Sequence, residues 1–449
     1  MLRAVATPSY NAIIGSPKSY KANPKIAILG DSMTNYNNDC AGTVYLINEA
    51  QGYMTWLNAL SGQRFNFPVA GANDIFTAAN FGVSGERLDE IKARLNPVIA
   101  YNPDAIIFMG GTNDLVNTTR TWAQMTADAQ TIIETFTNRG VYFIAMPILP
   151  RSTWSSLTAG EIITRRKVQY NFNTWLRRYA LTNPLCVIAD PTLDWIDPAS
   201  ATGDPKAGIT QDNLHQSPTG AYYMAKAIKR VTDVIFPPIC QTRVSSVLDA
   251  YDATDNPRGN HTINGLMSGT AGTNGTGSSG TVADNWTVSR SSGSTITAVC
   301  SKTTLTIPDV LTPITAQRIV VSSGGAGATN EAIRMYPSAT ISTGITTGDI
   351  CYAEAIVRVS GITGIVQGVV LQMEHYDGTT PYYARDMDRK TSPHALPTGI
   401  DEVLTLKTPV FPAPASFAYV RCGVLIYVDG NVSGGVTADI AQITLRKVV

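Results

Sequence analysis

Residues 25–33 read KIAILGDSM, a short apolar run that passes into Gly30-Asp31-Ser32 with no polar loop between. A serine in that place is either a cap for the helix that follows, a position serine favours, or a nucleophile held at the edge of a sheet. Four more apolar runs stand farther along, at 77–81 (TAANF), 105–109 (AIIFM), 141–146 (VYFIAM) and 186–189 (CVIA). They are near-continuous rather than alternating, the pattern of strands covered on both faces. Helical segments lie between them, at about 45–60, 86–100, 120–138, 161–181 and 219–235. In 120–138, Trp122, Met125, Ala129, Ile132 and Phe136 recur at three- and four-residue steps and make one apolar stripe. Strand and helix in alternation predict an open parallel sheet with helices on both sides, joined by right-handed crossovers.

Beyond about residue 237 the pattern changes. Residues 241–262 carry no helical period and read as a connector; 265–285 are rich in Gly, Ser and Thr and too polar to form a core. From there to the end, β-branched and aromatic alternations are punctuated by Gly, Pro, Asn and Asp, which predicts an antiparallel, jelly-roll-like sandwich over 263–449. The expected division is thus an N-terminal extension (1–24), an α/β domain (25–240), the connector and the sandwich. Two domains suit a chain of 449 residues.

Lysine plus arginine equals aspartate plus glutamate at 34 each, so no basic field exists to favour nucleic acid or an anionic membrane. Only 15% of residues are charged, which leaves neutral substrates, sugars among them, as the easier fit. The six cysteines form neither a CxxC pair nor a Cys/His cluster with zinc spacing, and they read as single buried thiols; no metal and no cofactor is expected. No apolar run reaches the ~18 residues of a membrane span. The N-terminus lacks the apolar core of a signal peptide, so export by the usual route is not expected.

In an open parallel sheet the C-terminal strand ends line one crevice. After the first strand stands Ser32; after the second, Gly82, Ser84 and Gly85; after the third, Gly110-Gly111-Thr112-Asn113-Asp114; before the last helix, Asp212 and His215. A hydroxyl, backbone donors, a side-chain amide and an acid–imidazole pair are what acyl transfer requires. His215 is the single histidine of the α/β half, so an imidazole base there has no other candidate. Asp212, three residues earlier, is either its orienting acid or the start of an Asx turn. Asp31 and Asp114 read as loop-holding residues. Tyr36, Trp122, Arg151 and Trp154 are candidates to touch substrate, with core packing or plain exposure as the alternative for each.

Over about residues 25–236 these four stretches resemble the SGNH (GDSL-like) hydrolase family, with its blocks Gly-Asp-Ser, Gly, Gly-x-Asn-Asp and Asp-x-x-His in order; Met33 stands where leucine is frequent. The resemblance implies a flavodoxin-like sheet, Ser32 as nucleophile, His215 as base, Asp212 as acid, and an oxyanion hole from Ser32, Gly85 (with Gly82 as rival) and Asn113. It implies a serine esterase, read here as removing O-acetyl groups from a polysaccharide, with a lipase or thioesterase, or a non-catalytic adhesin, as rivals. The second half resembles carbohydrate-binding modules and accessory domains of phage tails. That suggests a virion-tail or lysis-released protein whose sandwich binds glycan or makes the contacts of a homotrimer.

Overall fold

The computed structural model describes residues 21, 23–39, 45–68, 79–154, 157–238, 246–307, 310, 312–389 and 393–448. The expected N-terminal extension apart from Lys21, Asn23 and Pro24, residues 77–78 of the second strand, the first residues of the connector, Cys40 and Cys240 lie outside them.

The α/β half is built from β1 (Ile26–Gly30), α1 (Ser32–Asn35), β2 (Asn38–Asp39), β3 (Tyr45–Glu49), α2 (Tyr53–Leu60), β4 (Asn80–Gly82), α3 (Leu88–Ala93), α4 (Asn96–Tyr101), β5 (Ala105–Met109), α5 (Trp122–Thr137), β6 (Tyr142–Ala145), α6 (Ala159–Ala180), β7 (Cys186–Ile188), α7 (Thr192–Trp195) and α8 (Pro218–Ile235). Five of these strands form a parallel sheet in the order β4-β1-β5-β6-β7, the flavodoxin-like order, whose direction reverses at β1. Alternate side chains of each strand serve opposite faces. Ile26, Ile28 and Ile107 pack under α2 and α8, whereas Ala27, Leu29, Ile106 and Phe108 pack under α3 to α6. Thr121 and Thr158 open α5 and α6 as capping boxes with Gln124 and Glu161.

The second half holds β8 (Ala271–Asn274), β9 (Ser278–Gly280), β10 (Val282–Ser292), β11 (Thr297–Leu305), β12 (Ile314–Gly324), β13 (Glu331–Pro337), β14 (Ile350–Thr363), β15 (Val366–Tyr376), β16 (Pro381–Asp388), β17 (Asp401–Lys407), β18 (Phe411–Pro412), β19 (Tyr419–Val428) and β20 (Ser433–Lys447). They form two mostly antiparallel sheets packed as a sandwich, β2-β3-β16-β15-β19-β13-β10-β8 against β17-β14-β20-β12-β11-β9, with β18 on β14. Cys186, Cys300, Cys351 and Cys422 are buried and unbridged.

Two expectations need correction. Residues 45–60 are not one helix: 45–49 form β3, which pairs in parallel with β16 across more than 300 residues, and only 53–60 coil. A strand stabilised by so distant a partner leaves no local period to read. Residues 86–100 break into α3 and α4, because Pro97 in the first turn of α4 has no N–H to continue the preceding helix. Within the Gly/Ser/Thr-rich stretch, β8 and β9 add parallel edges to β10 and β11.

β3 also ties the two halves together. Asn48 Nδ2 donates to Asp386 Oδ1 at 2.9 Å, and the Lys407 N–H donates to Asp386 Oδ2 at 2.8 Å. Burial pushes the Asp386 carboxyl up to about 7 despite these bonds. No described helix is long and apolar enough to cross a membrane.

Candidate active site

The loops that follow β1, β4, β5 and β6 and the loop that enters α8 meet at one edge of the parallel sheet. Asp31 caps α1, its Oδ1 accepting from the Met33 N–H at 3.0 Å. The cap is therefore Asp31, and the hydroxyl of Ser32, in the first turn, is left for another partner. That partner is His215: Nε2 lies 2.9 Å from Ser32 Oγ, between residues 183 positions apart. On the other side of the ring, Nδ1 lies 2.6 Å from Asp212 Oδ2. Asp212 Oδ1 accepts from the backbone N–H of Leu214 at 3.1 Å and of His215 at 2.7 Å, so one carboxylate shapes its own loop and orients the ring. The expected Asx geometry and the acid–imidazole pair are both present.

Burial favours the neutral form of Asp212, but the bonds from the His215 ring and backbone outweigh it and hold the carboxyl below the usual aspartate range. It is ionised near neutrality and can only accept. His215 Nδ1 must then be the donor, which leaves Nε2 free to take the Ser32 proton.

Behind the pair runs a buried amide relay with no signature in the sequence. Gln216 Nε2 donates to Met33 O at 2.7 Å, and Gln51 Nε2 donates to Gln216 O at 2.9 Å. Each glutamine is fully buried, and the first bond joins the residue after His215 to the residue after Ser32. Nothing in the spacing of Gln216 marks it; only its adjacency to His215 could have drawn attention.

The two glycines of the second block separate clearly. A Cβ on Gly82 would lie 2.4 Å from the Asn35 backbone nitrogen, so this glycine lets β4 press against α1. Gly85 stands in an exposed turn at φ +86°, with open space around it. Among the described residues neither its N–H nor that of Ser32 meets a backbone acceptor. Asn113 gives one amide hydrogen to Glu86 O at 2.9 Å, beside Gly85, and keeps the other.

Asp114, fully buried, accepts from the Leu88 N–H and Arg120 Nε, both at 2.9 Å, and holds its loop as expected. Burial pushes Asp31 up to about 7, with Asp114 nearby adding to the effect against the Met33 N–H and Arg151; its Oδ2 has no donor among the described residues.

The four candidate substrate contacts fall in different places. The Tyr36 ring meets the His215 ring edge-on at 5.1 Å. Arg151 is buried on the loop after β6, bonded to Thr112 and Thr153. Trp154 is buried between the guanidinium groups of Arg151 and Arg166, at 5.4 and 5.5 Å. Trp122 opens α5 at 45% exposure, and no ring or hydrogen-bond contact joins it to the other site residues described. No cluster of three metal-ligating side chains occurs among the described residues.

Residues 28–222 match the model of the GDSL-like Lipase/Acylhydrolase family. A search of curated proteins returned no match. Among solved structures, a GDSL-like lipase from Bacteroides thetaiotaomicron VPI-5482 is 14% identical with TM-score 0.34, covering 50% of this chain and 93% of its own. A carbohydrate esterase family 3 protein from Talaromyces cellulolyticus is 21% identical with TM-score 0.33, covering 47% and 98%. A member of the lipolytic protein G-D-S-L family from Veillonella parvula DSM 2008 is 18% identical with TM-score 0.34, covering 46% and 97%.

Proposed function

We propose that the α/β half, whose residues 28–222 carry a GDSL-like lipase/acylhydrolase domain, is a serine ester hydrolase acting on short acyl groups, foremost O-acetyl groups of a polysaccharide. The observation that carries the reading is the continuous chain Ser32 Oγ, His215, Asp212, with contacts of 2.9 and 2.6 Å. Ser32 Oγ attacks the acyl carbon as its proton passes to His215 Nε2. The oxyanion is received by the Ser32 and Gly85 N–H groups and the spare amide hydrogen of Asn113; losing one such donor typically costs about 3 kcal/mol of transition-state stabilisation. His215 returns the proton to the departing alcohol, then draws one from a water that cleaves the acyl-Ser32 ester.

A glycan as the alcohol is supported by the low charge content of 15% and the zero net charge. The same reading puts the protein on a virion tail or free after lysis, its sandwich holding the glycan or the contacts of a trimer.

The test compares p-nitrophenyl acetate with the octanoate, and both with an O-acetylated glycan, for the wild type and Ser32→Ala. Acetyl turnover that disappears in the variant is expected. Preference for octanoate would move the reading to a lipase, and inertness of the wild type on every ester would end it.

A further inference from the structure

Arg151 is 4% exposed, yet no carboxylate among the described residues lies within salt-bridge distance of it. A guanidinium in such a place is costly unless its hydrogen bonds are well made. Its bonds go to neutral acceptors on two loops. Nε donates to Thr153 O at 2.6 Å, while Nη1 reaches Thr112 O at 3.2 Å and Thr112 Oγ1 at 3.3 Å. Thr112 immediately precedes Asn113. Thr153 in turn grips the loop of the acid: its Oγ1 donates to Asp212 O at 3.1 Å, and the Ser152 N–H donates to Asn213 O at 3.0 Å. One planar side chain thus spans the oxyanion loop after β5 and the segment that backs Asp212 and His215. A lysine, a point donor on a flexible stem, cannot hold both loops in one plane.

We propose that Arg151 is the positioning residue of this site, locking the Asp212–His215 loop to the Asn113 loop so that base and oxyanion hole keep a fixed distance. This rests on the ester-hydrolase reading and adds to it a residue that acts through others. The charged groups around the acid–base pair are Asp212 itself, Asp31 and Arg151, with Tyr36 against the ring.

The experiment uses the full chain with Arg151→Lys, which keeps the charge and loses the fork, and Thr153→Val, which leaves Arg151 in place and removes the hydroxyl grip on Asp212. For p-nitrophenyl acetate, Arg151→Lys is expected to lower kcat between about 10- and 100-fold, the scale of a small misplacement. KM should stay within about twofold. Thr153→Val should move the same way by less. Because Asp212 then holds the imidazolium less firmly, the acid limb of kcat/KM should shift to lower pH in both variants. The downfield Nδ1–H proton resonance of His215 should broaden or vanish, a signal that needs no turnover.

A loss confined to KM would make Arg151 a substrate contact instead and overturn the proposal. So would a lowered melting temperature with kcat and the resonance unchanged in the folded protein. If Arg151→Lys fails to fold, Thr153→Val decides by the same readouts. Failure of the underlying reading shows separately, as a wild type without Ser32-dependent hydrolysis.

Discussion

At the scale of single residues, the role proposed for His215 as base depends on Asp212 being ionised and close. The folded carboxyl lies below its ordinary range, so its bond to the ring is intact above that range and is lost as pH falls through the lower folded value. Asp212→Asn keeps the shape but presents an amide hydrogen to Nδ1, which selects the wrong tautomer. The expected loss in kcat is on the order of 10³- to 10⁴-fold, with KM little changed. A steady-state measurement giving kcat within tenfold of wild type would remove Asp212 from the mechanism. The residues of this chain were legible in the sequence because the chemistry demands particular side chains at strand ends, and the α/β half offers one histidine. Gln216 was not legible: its bond to Met33 O exists because the fold brings positions 183 apart together, and no local pattern encodes that. Arg151 was visible as a strand-end residue, but its bonds to two loops could be seen only in three dimensions.

At the scale of elements, Glu331 shows how one buried carboxylate fixes a turn between strands. It opens β13 and accepts from the N–H groups of Ser294, Thr295 and Ile296, between β10 and β11, and of Ala328, at 2.9 to 3.1 Å. Burial alone would raise its pKa, but these backbone donors bring it from 4.5 down to about 2. Because the folded value is depressed, the stabilisation is full above the ordinary glutamate range and drains away as pH falls toward about 2. Glu331→Ala strands the buried N–H of Ile296 and the part-buried N–H groups of Ser294, Thr295 and Ala328, and is expected to destabilise by about 3 kcal/mol near neutral pH. Thermal unfolding followed from pH 7 to pH 3 should show the gap between variant and wild type narrowing toward acid. A gap that stays constant would mean the turn is held by something other than the charge. Such a residue is hard to see in advance, since the stretch around it reads only as polar loop. β3 was illegible for a related reason: Tyr45–Glu49 becomes a strand through β16, and a strand's partner carries more weight than its own propensity.

At the scale of the whole molecule, the two halves share one interior. A single apolar cluster runs from Ile26 and Trp56 beneath the parallel sheet to Trp286 and Ile443 in the sandwich. Polar contacts reinforce it: Gln63 Nε2 donates to Thr405 O at 2.7 Å, Tyr222 OH to Glu402 Oε1 at 2.8 Å, and Thr219 Oγ1 to Ala395 O at 3.0 Å. Thr219 is four residues past His215, and β2 and β3, which come after α1 in the chain, belong to the sandwich sheet. Removing the sandwich would uncover the apolar faces of α2 and α8 and strip β3 of its pairing, an exposure that isolated domains seldom survive. The full chain is therefore expected to unfold in one calorimetric transition, and a fragment ending at residue 240 to aggregate and to lose Ser32-dependent hydrolysis. A soluble fragment with its own melting transition and kcat/KM within about twofold of the full chain would show the reverse, that the sandwich is an appended module on which the catalytic loops do not depend.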